Sequence, residues 1–70
     1  MLQPHQQRVV EESQELLGRI ERLRAFSESP TFAALDATER HRLLRQMSAM
    51  ADYAMVLAER VNAFPQGATT

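Results

Sequence analysis

The stretch from Asp36 to Phe64, DATERHRLLRQMSAMADYAMVLAERVNAF, decides the fold. Within it Leu43, Met47, Met50, Ala54, Leu57, Val61 and Phe64 follow one another at alternating steps of four and three residues. That alternation lays a single apolar seam along a helix and packs it lengthwise on another helix. Asp36-Ala37-Thr38-Glu39 marks the start: Asp36 accepts from first-turn amides, and Glu39 is expected to reach back in the Asp form of a capping box. The helix is expected to run from Ala37 to about Phe64, where Pro65 and Gly67 stop it and open a tail over 65–70 that frays at Ala68-Thr69-Thr70.

Upstream lies the partner this seam needs. A first helix is expected over about 4–26, with Pro4 at the position where a missing amide hydrogen costs nothing. Its apolar positions include Ile20 and Phe26; Val9, Leu16 and Leu23 recur every seven residues, and Val10 and Leu17 widen the stripe. Ser13 interrupts it, and Gly18 sits inside it at a cost of about 1 kcal/mol against alanine. A close backbone approach to the neighbouring helix is the favoured reason for Gly18, with a tolerated weak point as the other reading. Between the helices, Ser29-Pro30 caps and starts a short helical turn over about 30–35 that presents Phe32 and Leu35 to the core. Two long helices joined this closely lie antiparallel. The expected fold is therefore all-α: one domain over 1–70, an antiparallel two-helix hairpin whose closed end is plugged by Phe26, Phe32 and Leu35.

A hairpin of 70 residues sits at the lower edge of independent stability. A single core of this size rarely supplies more than ~3–5 kcal/mol. Cysteine is absent, which removes disulfides; with only His5 and His41 besides, no structural metal site is expected. Self-association is the remaining support. The second long helix carries more apolar residues than one seam covers, so a homo-oligomeric helical bundle is expected, with Leu44, Met47, Met50, Ala51, Met55 and Ala58 at the interface.

Composition narrows function by exclusion. Eight arginines, no lysine and nine acidic residues leave a near-neutral chain, unlike a general binder of DNA or RNA polymers. Arginine in place of lysine has two readings, the base composition of the source genome or bidentate recognition of phosphate and carboxylate. No apolar run is long enough for a membrane span, and residues 1–8 are too polar for a signal-peptide core, so a cytoplasmic protein is expected. No catalytic constellation can be assembled. His5 and His41 fall near opposite ends of the hairpin, Glu11 and Glu12 point in different directions, and the two glycines are isolated. Neither an enzyme nor a cofactor is expected.

Binding chemistry is richer. Near the closed end, Glu15 with Arg19, Asp36 with Arg40 and Glu39 with Arg42 have the spacing of solvated surface pairs, while Arg45, beside Gln46, has no acid at that spacing. At the open end an antiparallel hairpin brings His5 and Arg8 near Arg60 and Phe64, beside the first helix's positive terminus. An imidazole, two guanidiniums and a ring suit a phosphate and a stacked base; the competing reading pairs Arg8 with Glu11 or Glu12. Tyr53, the only tyrosine, suits either an interface rim or a planar ligand.

The string His5-Gln6-Gln7-Arg8-Val9-Val10-Glu11-Glu12, then Leu23-Arg24-Ala25-Phe26, resembles a family of small tailed-phage and prophage proteins. Phe32-x-x-Leu35-x-x-x-Glu39 and Arg45-Gln46-x-x-x-Met50-x-x-Tyr53-x-x-x-Leu57-x-x-Arg60 carry the same resemblance, over about residues 5 to 64. That family is similar in size and hairpin architecture to the phage anti-CBASS and anti-Thoeris sponges. Those assemble into oligomers, commonly hexamers, and sequester cyclic nucleotides or cyclic ADP-ribose derivatives without cleaving them. The resemblance implies a sponge in the host bacterial cytoplasm, with Arg8, Arg45 and Arg60 on phosphates and His5, Gln46, Tyr53 and Phe64 on the base. The absence of lysine and of a strongly basic end departs from the sponge pattern and favours a dinucleotide over a trinucleotide. The alternatives are a protein-interaction module acting through the apolar face of the second long helix, and a structural virion component.

Overall fold

A computed structural model describes residues 2–65. It contains α1 (Pro4–Ser27), α2 (Pro30–Ala34) and α3 (Ala37–Asn62), with α1 and α3 packed as an antiparallel hairpin across the short α2. Gly67 and the tail expected to follow it lie outside the described residues.

Each helix starts where local chemistry directs. Pro4 occupies the first turn of α1, and the Gln3 amide donates to Gln6 Oε1 at 2.9 Å. The Ser29 hydroxyl donates to the Phe26 carbonyl at 2.6 Å and accepts from the Phe32 amide at 3.2 Å, so one side chain ends α1 and begins α2. Asp36 Oδ1 accepts from the Glu39 amide at 2.9 Å. The other half of the expected capping box is not made, because Glu39 Oε1 is held by Arg42 at 2.9 Å.

Arg40 corrects a second expectation. It does not pair with Asp36; its Nη1 donates to the Ala33 carbonyl at 3.0 Å and to the Leu35 carbonyl at 2.7 Å. Helix ends leave carbonyls without partners, and a guanidinium from the following helix satisfies two of them here. Phe26 and Phe32 meet edge to face, centroids 6.0 Å apart, and plug the closed end as the sequence suggests.

The seam reads as its spacing requires. Val9, Leu16, Ile20 and Leu57 form the buried core, and Met50, Ala54, Val61 and Phe64 pack against it. Leu57 alone among them is fully buried. The molecule is a rod with principal extents of 54 × 15 × 15 Å and a radius of gyration of 16.1 Å. A rounded domain of this length has a radius near 11 Å, so the rod buries little per residue.

Gly18 overturns the close-approach reading. A methyl group built there meets only the Arg22 guanidinium, at 3.4 Å, and no atom of α3. Backbone proximity does not require the glycine.

Candidate functional site: two faces of the hairpin

Two long helices in a flat pair have two faces on either side of the seam, and the residues divide sharply between them. One face is fixed by a contact from helix to helix: the Tyr53 hydroxyl donates to the Glu12 carboxylate across 41 residues of sequence. Gln46, Tyr53 and Arg60 recur every seven residues on α3, so all three share that side. Arg8, four residues before Glu12, shares it on α1. His5, Arg8, Tyr53 and Arg60 are exposed there, while Phe64 is half-buried because its ring packs on the core.

The arginines of this face are unpaired. Among the described residues the ion pairs are Arg19 with Glu15 at 3.9 Å and Arg42 with Glu39 at 2.9 Å, both at the expected spacing. Glu11 accepts from Gln7 at 3.3 Å and Glu12 from Tyr53, so both acids expected to neutralise Arg8 are engaged elsewhere. Among the described residues Arg60 likewise has no carboxylate within ion-pair distance. The bond to Glu12 holds the Tyr53 phenol above its ordinary pKa of 10.0, aided by partial desolvation and by the carboxylate's charge, while the Arg60 guanidinium pulls it down. Tyr53 is therefore a neutral donor, and Arg8 and Arg60 stand about one and two helical turns from it toward the open end.

Arg45 and Gln46 do not join this group within one copy. Arg45 precedes Arg60 by fifteen residues, about 22 Å along a helix, and points about 100° away from Gln46. Gln46 shares the face but lies about 10 Å from Tyr53 toward the closed end, on the side away from Arg8 and Arg60, with its amide toward Met50 Sδ at 3.8 Å.

The opposite face is apolar and has a notch. Val10, Ser13, Gln14, Ala58, Val61 and Asn62 line an open hollow of about 230 Å³ between α1 and α3. Ser13, the break in the α1 stripe, shares this hollow with Ala58 and Asn62 of α3, a juxtaposition no spacing within one helix reveals. Leu44 is 46% exposed, Met55 63% and Leu17 52%. Of the six residues expected at an oligomer interface, Leu44, Ala51, Met55 and Ala58 lie exposed on α3, and Met47 and Met50 turn half-buried into the seam.

The family model described as Sequestin matches residues 3–63, which spans both faces and all three helices. The chain belongs to the Sequestin family. No curated protein and no solved structure matches it. Among the described residues no helix is long and apolar enough to cross a membrane.

Proposed function

We propose that this protein is a phage-encoded sponge that binds a cyclic nucleotide immune signal, without cleaving it, at contacts between copies of the chain. One observation carries the reading: Arg8 and Arg60, neither ion-paired among the described residues, follow Tyr53 toward the open end on one face. Free guanidiniums suit phosphate oxygens bidentately, and the tyrosine and Phe64 rings suit a base. His5 adds a donor at the open end. The family's name, which speaks of sequestration, supports holding over turnover. A nucleotide on so open a face is exposed on its outer side, whereas small-molecule sites bury most of their ligand, so a neighbouring copy supplies the second wall. Holding suffices when the protein outnumbers the signal.

Titration calorimetry against cyclic dinucleotides, cyclic trinucleotides and cyclic ADP-ribose isomers tests this. At least one signal is expected to bind, and Arg8→Ala or Arg60→Ala to weaken it by roughly tenfold or more, the worth of one charge-assisted bond. Flat titrations across the panel retire the reading. A second reading, a non-enzymatic adaptor for a host or phage protein, draws on the exposed Leu44 and Met55 of the opposite face. It predicts no nucleotide-dependent rise in melting temperature.

A further inference from the structure

We infer that the apolar face of the hairpin pairs with the same face of a second copy, antiparallel about a two-fold axis near Ala51 to Met55, seating each Leu44 in the other copy's notch beside Ala58. This pairing needs no nucleotide and lies on the face opposite Tyr53.

Spacing makes the first argument. Leu44, Ser48, Ala51, Met55, Ala58 and Asn62 follow one another by four and three residues, a second seam about 100° round α3 from the first. Among the described residues nothing covers it. Its centre is small, with Ser48 and Ala51 letting two helices approach closely, and Met55 beside them is long and adaptable. With the axis midway, Leu44 of one copy falls level with Ala58 to Asn62 of the other. That is where the hollow of about 230 Å³ lies, lined by Val10, Ser13 and Ala58, with room for an isobutyl group. A two-fold contact uses each knob and each hole twice.

Charge makes the second. Arg45 and Glu59 stand on the outer flank of this seam, fourteen residues apart, and neither has an ion-pair partner among the described residues. Antiparallel pairing sets each Arg45 against Glu59 of the other copy; a parallel partner sets like charges level. Asp52 meets its own copy near the axis, one exposed like-charge contact against two favourable ones. Size agrees as well. The face of a rod measuring 54 × 15 Å offers a footprint of roughly 800 Å² per copy, the standard for a stable pair. The thin core, with one fully buried side chain, leaves stability to be gained there.

Sedimentation velocity on the full chain without nucleotide, from about 1 to 50 µM, tests it. Twice the chain mass of 8.0 kDa is expected at the top of the range. Leu44→Glu is expected to raise the dissociation constant at least about tenfold. Its helical circular dichroism should be retained, because Leu44 is exposed in the monomer. Arg45→Glu is expected to weaken the pair and Arg45→Glu with Glu59→Arg to restore it. Gln46→Glu, on the opposite face, is expected to leave it unchanged. A monomer throughout overturns the inference, whether the face is then free for another protein or for a small ligand. So does a dimer indifferent to Leu44→Glu. Nucleotide binding by such a monomer leaves the sponge reading standing, and a nucleotide-blind dimer of the expected kind retires that reading alone.

Discussion

Replacing Leu57 by alanine tests the hairpin at its narrowest point. Leu57 is 0% exposed and is the one fully buried side chain of the α1–α3 seam. Truncating a buried leucine removes its transfer energy and leaves a cavity, together about 2–5 kcal/mol. A core of this size supplies only ~3–5 kcal/mol in all. At about 4–8 °C per kcal/mol for a domain of this class, a middle loss of ~3 kcal/mol lowers the melting temperature by about 12–24 °C. Leu44→Ala is the internal control, because the same atoms are removed from the same helix at a position 46% exposed. Its effect on the monomer is expected to stay below about 1 kcal/mol. Thermal and urea melts by circular dichroism, each over a range of protein concentration, separate folding from association. Equal losses at both positions, or a Leu57→Ala shift under about 4 °C, would refute the seam as the source of stability.

Three further outcomes follow from individual side chains. Gly18→Ala is expected to raise stability by about 1 kcal/mol in a thermal melt, because the added methyl meets only the flexible Arg22 arm; destabilisation would reveal a contact absent from the hairpin. Asp36→Ala is expected to cost about 0.5–2 kcal/mol in urea unfolding by freeing the Glu39 amide, and Asp36→Asn to recover most of it. Tyr53 is expected to titrate above 10.0 by ultraviolet absorbance and to return toward it in Glu12→Gln. Its raised pKa makes the bond's contribution complete below pH 10.0, with loss as pH climbs through the folded-state value, so alkaline destabilisation should shrink in Tyr53→Phe.

What the sequence disclosed and what it withheld separate by the range of the interaction. The step pattern from Leu43 to Phe64, Pro4, Ser29-Pro30 and Asp36 all act through periodicity or within one helical turn, and each was readable. So were the ion pairs of Arg19 and Arg42, which span a single turn. Arg40 was misread because its long arm reaches carbonyls five and seven residues back, around a bend whose path no spacing rule describes. Glu39 had two partners at equal reach, and a full charge won over a backbone amide. The Tyr53–Glu12 contact and the notch opposite Ser13 depend on how the two helices are registered, which apolar spacing sets only to about a turn. Gly18 shows that a gap in a stripe does not by itself imply something filling it.

The Arg40 tie has a mechanical consequence. It bolts the bend shut together with the Phe26–Phe32 plug, while toward the other end α1 and α3 are held by Val9, Leu57, Val61 and Phe64 and by the Tyr53–Glu12 bond. The rod is thus clasped at two places of different chemistry, by polar ties at the bend and by apolar packing beyond Tyr53. A ligand gripped by both Arg8 and Arg60 would add a third clasp, and amide exchange at the ends of α1 and α3 is expected to slow when one is added.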